Sequence, residues 1–589
     1  MLTEYIQAHP LQYHPSAQFP PSSHRAAWEG VDAADRADLL ALANDWRERP
    51  YPLLTAGMYA SFVRTGSRKD CENPYFDRRR KLCAAALHIC LTDEDIDLAA
   101  VEDGLILICE ETTWAISAHA GLTAAHPFPD AKAPIIDLFA AQTGMILSFI
   151  CQLLGDRLHP DLRERVRWEV ERRILSPFMH NDKEWWMGFV RKDLCNWTPW
   201  IVSNVMMAAN VWMTDCTALY TRACGMIDRW LDCVPADGGC DEGAGYWNMA
   251  GGAFLDCLML LEKTCGVNLW DNDKVRRMMA YPELVYLGGG WFANFADCDA
   301  RPYISGERLQ YAGEKTDNPA LIRMGVEMRS MPSWELSDTP HLSRLLMRLF
   351  SRAAQAEAAD VPQKDVWLPD LQVRILEKDG LTVAMKGGHN AESHNHNDVG
   401  TFLIAAKGQM QAVDAGNMVY TAKTFSAQRY ELWNCRSIYH NVPMIGEWEQ
   451  HNGPEYAARD VQCSPKGMAL DMASAYPAEA GLQQCQRSFC LEGGRLSVRD
   501  EVVCDAPQPI TWVLMLRHEP VIDQARQCCH LKESGFWIDW SENAPLTASA
   551  EPINVTDPRM AKSYPGCLWR LTLSAAPSTH HTQEFLFEA

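Results

Sequence analysis

The apolar residues of this chain change their period once. Up to about residue 355 they recur at helical spacing, and from about residue 371 they alternate two by two. A helical stripe and a strand face are buried in different ways, so the two regions must build different layers. The spacing predicts helices over residues 32–49, 80–91, 99–114, 135–158, 160–175, 197–213, 216–231, 246–265 and 341–357. Pro160-Asp161 and Asn318-Pro319 place proline at a first helical turn, where its missing N–H costs nothing. No fixed repeat period is visible, which argues against a TPR- or HEAT-like solenoid. Many helices on short connections suggest a toroid or bundle.

The second region starts after a Pro- and Asp-bearing link at 358–370. Strand patterns over 371–377 and 381–386 flank Lys378-Asp379-Gly380, and those over 401–406 and 410–413 flank Lys407-Gly408-Gln409. Both are hairpin signals. Further strands are expected over 495–503, 510–517, 536–540, 568–574 and 584–587. The expected fold is α+β and multidomain: a helical domain over 1–360 and an antiparallel β-sandwich over 361–589.

Composition narrows the function. The formal net charge is −22, which disfavours nucleic acid and anionic membranes as partners. An anionic glycan would then need a locally basic cleft. The 21 tryptophans fit a core, and they also fit a cleft in which rings stack on pyranose faces. The 21 cysteines are scattered without CxxC pairs, many of them inside helical patterns (Cys83, Cys90, Cys151, Cys257, Cys265). That is the usage of free thiols in a reducing compartment. Glu4 and the lack of an apolar stretch near the N-terminus give no signal peptide, and no run of about 18 apolar residues stands out. The expectation is a cytoplasmic protein, as monomer or homodimer.

The densest polar cluster is Glu392-Ser393-His394-Asn395-His396-Asn397-Asp398. In extended chain His394, His396 and Asp398 share one side. A surface loop is the ordinary reading, but the cluster runs straight into an apolar strand. Asp414 ends another apolar strand, and His440 follows in Ser437-Ile438-Tyr439-His440-Asn441. Alone, Asp414 reads as a turn cap and His440 as a hydrogen-bonded core histidine. Together with His396 they make a His/Asp/His set that suits zinc or manganese.

Three further segments sit at helix ends. Asp237 to Trp247 is a glycine-rich turn that opens a helix with Tyr246 near its start. The helix potential there would favour a phenolate and proton transfer; a cap with a packing aromatic is the alternative. Asn196, before Trp197, is either an N-cap or an amide offered to a ligand carboxylate. Glu110 and Glu111, with His119 downstream, line either a sugar cleft or a solvated helix end. Arg429 and Arg436, around Tyr430 and Trp433, would bind carboxylate or sulfate if they do not simply dress a surface. The GxSxG, HExxH, EF-hand and dinucleotide signatures are absent from the sequence.

Taken together, His394-Asn395-His396-Asn397-Asp398-Val399-Gly400, Val413-Asp414-Ala415-Gly416, 421–426 and Tyr439-His440-Asn441-Val442-Pro443 resemble the C-terminal block of the heparinase II/III-like family. Asp237 to Trp247 resembles that family's segment with the catalytic tyrosine, and Asn196-Trp197 resembles its asparagine-bearing helix start. The resemblance spans about 105–445. It implies an incomplete (α/α) toroid before an antiparallel β-sandwich, and β-elimination at a uronic acid without organic cofactor. Its implied roles are catalysis by Tyr246, His394 and Asn196, and a structural zinc or manganese ion on His396, Asp414 and His440. Substrate contacts would come from Trp197, Glu242, Arg429, Tyr430, Trp433, Glu111 and His119. The implied partners are acidic polysaccharides or oligosaccharides: heparan sulfate, chondroitin sulfate or hyaluronan, with alginate as the alternative. Bacterial-type polysaccharide utilisation is the implied setting, with the cleft between the two domains. A hydrolase using Glu110, Glu111, Asp241 or Glu242 as paired acids, and a non-catalytic glycan binder, are the rival classes.

Overall fold

A computed structural model of the chain describes residues 1–330, 341–351, 363–421 and 423–589. The expected boundary at 360, positions 358–362 of the link, positions 352–357 of the last expected helix, and Ala422 lie outside the described residues. The chain divides into two compact units, neither contiguous. The first joins Met1–Val234, Asn248–Val275 and Ser305–Glu357; the second joins Pro235–Trp247, Arg276–Ile304 and Ala358–Ala589. Two excursions of the helical half thus belong with the sheets, a long-range association that local periodicity does not register. Asn294 in one excursion donates to the Asp414 carbonyl at 3.1 Å.

The first unit is helical. Ala33–Arg47 starts where expected, with the Asp32 side chain accepting from the N–H groups of Ala34 and Asp35. The helix expected from residue 80 begins earlier, as Lys69–Thr92. Its first turns are charged, but Arg78 and Arg79 are buried against Glu111, so polarity hides an interior face. Leu98–Cys109, Leu138–Leu154, Trp197–Trp212 and Thr217–Leu231 follow near their expected places. Pro160–Val170 continues through a π-helical turn, Glu171–Leu175. The segment Leu138–Arg157, at mean hydropathy 1.6, is long and apolar enough to cross a membrane by length and composition, contrary to the sequence expectation. Since its apolar stretch is mostly buried inside the protein, it has the surroundings of a core helix.

The second unit holds two large antiparallel sheets. In one, Asp365–Leu368, Val373–Lys378, Leu381–Lys386, Phe402–Ala406 and Gln409–Ala412 lead to Ile510–Leu516, Cys567–Ser574 and Thr547–Asn554. Both expected hairpins form. Asp379 and Gly380 (φ +50° and +82°) and Lys407 and Gly408 (φ +50° and +74°) supply the paired positive φ of type I′ turns. The other sheet centres on Leu482–Glu492, Arg495–Gln508 and Ser578–Glu588. Leu482–Glu492 was not expected as a strand, because its buried positions include Cys485 and Arg487 among apolar ones. Val383, Met385, Phe402 and Ile404 of the first sheet share one core with Phe489, Leu496, Val498 and Phe587 of the second. Each such fully buried side chain contributes about 1.5–3 kcal/mol. Inside this core Arg487 pairs with Asp500 at 2.6 Å and donates to the carbonyls of Gly400 and Asn441. It thereby ties the ends of both histidine-bearing segments to the sheets. All 21 cysteines are free in the structure.

Candidate active site and metal centre

The segment 391–400 is irregular, not extended. His394 has φ +57°, a left-handed backbone that costs a non-glycine residue free energy and persists only where its surroundings fix it. The fixings are plain. Lys386 holds Asp398 at 2.7 Å and Glu392 at 3.0 Å. Gln450 accepts from the Val399 N–H and donates to the Val399 carbonyl. Arg429 donates to the carbonyls of His394 (2.7 Å), Asn395 (2.9 Å) and Thr424 (3.2 Å), and to Asp297 (2.8 Å). Arg429 is therefore a strap for this loop. The expectation that it binds a substrate carboxylate or sulfate is corrected, because its guanidinium donors already have internal partners.

The left-handed turn breaks the alternation expected for His394, His396 and Asp398. Asp398 faces Lys386, and the two histidines converge on Asp297. His394 Nδ1 lies 2.9 Å from Asp297 Oδ2, and His396 Nε2 lies 3.1 Å from Oδ1. Burial opposes ionisation of Asp297, but the bonds from His394, His396 and Arg429 hold its carboxyl well below the usual range. A carboxylate only accepts, so Nδ1 of His394 carries hydrogen and Nε2 keeps the lone pair of the neutral ring. Nε2 is 3.6 Å from Glu242 Oε1. Burial pushes the Glu242 carboxyl up to about 7, against the lowering influence of His394.

Tyr246 lies ring to ring with His394, the centroids 4.9 Å apart. It stands in a short 3₁₀ turn, Ala244–Asn248, ahead of the helix Gly251–Cys265. The helix expected from residue 246 starts later, and the phenolate expected from its dipole is corrected. Burial, then the neighbouring Tyr420 and Glu242, push the Tyr246 phenol well above its ordinary value. Its hydroxyl bonds to that of Tyr420. Tyr420 in turn accepts from Asn417 Nδ2 at 3.2 Å and lies 3.3 Å from His394 Nδ1.

Sequence reasoning missed Asp297 and Tyr420. Asp297 sits in an Asp-Cys-Asp triplet outside every predicted helix and strand, and Tyr420 falls between the 413–416 and 421–426 blocks. Buried carboxylates and clustered rings were the only signals, and both need the fold. Tyr430 touches the site through its hydroxyl, 3.5 Å from Asn395 Nδ2. Trp433 packs edge-on against Tyr439.

His396, Asp414 and His440 offer ligand atoms within 4.8 Å of one another, all three side chains buried. Burial opposes ionisation of Asp414, and the adjacent His440 holds its carboxyl below the usual range. Two observations fit a cation. His396 Nδ1 is buried with no nitrogen or oxygen partner among the described residues. His440 faces acceptors at both nitrogens, Asp414 Oδ2 at 2.7 Å and the Asn434 carbonyl at 3.0 Å. A neutral ring has one N–H, so a cation at Nδ1 resolves the conflict while Nε2–H donates to Asn434.

In the helical unit, Asn196 occupies the N-cap position of Trp197–Trp212 without a side-chain capping bond. It is buried, and its amide has no hydrogen-bond partner among the described residues, so the capping alternative fails. Trp197 contacts His119 at 4.7 Å and Trp185 at 5.1 Å, and His119 is fixed by Asp137 at 2.8 Å. Glu111 lines a separate cavity of about 420 Å³ with Glu110, Tyr59 and Phe128. Arg79 and Arg78 neutralise it at 2.7 and 3.1 Å, so its role as a substrate contact is replaced by a buried ion pair.

Comparison with known proteins bears on residues 360–555, which match the family model "Heparinase II/III-like, C-terminal". No curated protein sequence matches the chain. Among solved structures, Heparinase III superposes with a TM-score of 0.64 at 12% identity, over 100% of this chain and 88% of that one. Heparan sulfate lyase HepC from Pedobacter heparinus gives 0.55 at 13% identity, over 100% and 87%. The Streptomyces coelicolor A3 chondroitin AC lyase in complex with chondroitin sulphate gives 0.53 at 13% identity, over 100% and 82%. At these identities the likeness shows the fold, a helical toroid-type unit with antiparallel β-sandwich sheets.

Proposed function

We propose, on the match of residues 360–555 to the heparinase II/III-like C-terminal family model, that the chain is a lyase that cleaves uronate-containing acidic polysaccharides by β-elimination. The observation that carries this reading is the pairing of Tyr246 with His394, whose Nδ1 is bound by Asp297. Elimination needs a base at C5 of the uronate, an acid at the leaving O4, and a donor that neutralises the carboxylate so that the enolate is stabilised. Asn196, whose side chain makes no capping bond, is the proposed carboxylate donor. Nε2 of His394 is the base for one C5 epimer and Tyr246 for the other. The neutral Tyr246 phenol delivers the proton to O4. Glu242, beside Nε2, keeps that nitrogen polarised when its own carboxyl is ionised.

His396, Asp414 and His440 would hold a zinc or manganese ion. That ion would cross-link the three chain segments that carry these ligands, and no step of the elimination needs it. Arg429, Lys386 and Gln450 fix the His394 loop from the protein side. The substrates proposed are heparan sulfate, chondroitin sulfate and hyaluronan, with alginate-type oligouronates as the alternative.

The test is a panel of these four glycans, followed by the ultraviolet absorbance of the conjugated unsaturated uronate. Wild-type protein should generate it on at least one, and Tyr246→Phe should abolish it. Solvent oxygen incorporated into the product would indicate a hydrolase instead. Binding without turnover across the panel would indicate a glycan-binding protein.

A further inference from the structure

A tyrosine that first takes a proton and then gives one must either begin short of its own or pass its own to a partner that is. Tyr246 is poorly placed to ionise alone, since burial and nearby Glu242 both oppose it. Its hydroxyl has one hydrogen-bond partner among the described residues, the hydroxyl of Tyr420. The oxygen of Tyr420 is far better supplied with donors. Asn417 Nδ2 reaches it at 3.2 Å, and His394 Nδ1 lies at 3.3 Å. The Arg559 guanidinium sits 5.4 Å from the Tyr420 ring centroid, held there by Asp299 through bonds of 2.8 and 3.1 Å. Donors converge on one oxygen of the pair, and a cation lies over the ring that carries it. An anion shared by the two tyrosines therefore rests on Tyr420, with Tyr246 donating to it.

We propose that Tyr420 is the proton-holding partner of Tyr246, a positioning residue that stores the catalytic proton during each elimination. This rests on the lyase reading above. In the reactive pair one phenolic proton is absent and the other lies between the two oxygens. As the C5–H bond breaks, its electron pair stays on the substrate as an enolate. The proton goes to the Tyr246 oxygen, and the proton Tyr246 carried passes to Tyr420. The enolate pair then forms the C4=C5 double bond and expels O4 with the electrons of the C4–O bond. Tyr246 delivers its proton to O4 and takes back the one on Tyr420. The pair ends as it began, and no external acid or base is consumed.

The groups facing the pair fix the direction of its pH dependence. Burial opposes ionisation of both tyrosines, Asp297 adds to this on the Tyr420 side and Glu242 on the Tyr246 side, while Arg559 favours ionisation from a third element. His394 contributes its N–H, and Asp557 accepts from the Val419 N–H next to Tyr420. The competent form of the pair is the deprotonated one, so activity rises on the alkaline side.

The experiment compares wild type, Tyr420→Phe and Asn417→Ala by kcat and KM against pH, and by the tyrosinate absorbance change on titration. Tyr420→Phe should lower kcat on the order of 100-fold near neutral pH. KM should stay within about twofold, and the alkaline rise should move to higher pH, so that the deficit narrows as pH increases. Asn417→Ala should move that limb the same way by a smaller amount, which keeps the proposal open to test if Tyr420→Phe does not fold. In the absorbance titration the first phenolic proton should leave wild type at lower pH than either Tyr420→Phe or Tyr246→Phe. An unchanged pH profile, an equal loss at every pH, or identical tyrosinate titrations would overturn the proposal. If wild type forms no unsaturated product on any glycan, the lyase reading fails, while the absorbance titration still decides whether the tyrosines share a proton.

Discussion

Asp297 accepts a hydrogen bond from His394 across 97 positions of chain, Oδ2 to Nδ1 at 2.9 Å. The same carboxylate takes His396 and Arg429 on its other oxygen. One buried acid thus sets the tautomer of His394, orients His396 and neutralises the strap of their loop.

Replacing Asp297 with Asn should keep the packing and lose the tautomer control. We expect kcat to fall by about 10²-fold or more with KM little changed, as when the orienting acid of a catalytic histidine is altered. Asp297→Ala should also destabilise by about 3–5 kcal/mol, because the Arg429 charge is left buried and unpaired. The sign with pH follows from the depressed carboxyl. Its contribution is fully present above the unfolded value near pH 4 and is lost only as pH falls toward the lower folded value. Denaturation midpoints of wild type and Asp297→Asn should therefore differ by a constant amount from pH 5 to 6, and the gap should narrow above that, because the same carboxylate helps to raise His396 to about 10; a gap that closes between pH 6 and 5 would refute the assignment.

Glu242 runs the opposite way. Burial raises its carboxyl from 4.5 to about 7, so the folded state binds the proton more tightly than the unfolded one. That stability is fully present below the unfolded value and is lost as pH rises through 7. The shift corresponds to a loss on the order of 3 kcal/mol by pH 8. Glu242→Gln, which cannot ionise, should match wild type in Tm near pH 4 and exceed it by several degrees at pH 8. Thermal scans at the two pH values check this, and equal Tm at pH 8 would mean the carboxyl is not buried as described.

The metal reading makes a separable claim. Protein purified without chelator should contain about one zinc or manganese per chain, and His440→Ala or Asp414→Asn should lose it. Removal by a chelator should lower Tm and activity together, and the same ion added back should restore both. Retention of the ion by both variants, or its absence from wild type, counts against His396, Asp414 and His440 as the ligands.

How much of this was legible in the sequence depends on the range of each interaction. Local features came through: the period change, the start of the helix near residue 32, and both hairpins, since Asp379-Gly380 and Lys407-Gly408 declare their own φ angles. The His396, Asp414 and His440 trio was legible because each member carries a recognisable neighbourhood. Asp297 and Tyr420 were not, because each acts through a partner far away in sequence. Arg429 was misread for a related reason. Its residue type suits an anionic ligand, and only the fold shows three carbonyls and a carboxylate already on its guanidinium. Tyr246 shows a local rule overridden, since burial outweighs a helix-end potential that the 3₁₀ turn does not supply.

Asn196 gives the sharpest separation of function from structure. It holds an N-cap position, where loss of a capping side chain normally costs about 1 kcal/mol. Here the side chain makes no capping bond, so Asn196→Ala should leave Tm almost unchanged. If its amide neutralises the substrate carboxylate, the same change removes a donor to developing negative charge, worth about 2.7–4 kcal/mol in the transition state. We therefore expect kcat to fall about 10²–10³-fold. Asn196→Asp should be worse still, because it sets a second anion against the uronate. Steady-state kinetics and a thermal scan on the two variants decide the point: a drop in Tm with activity intact would make Asn196 a structural cap after all.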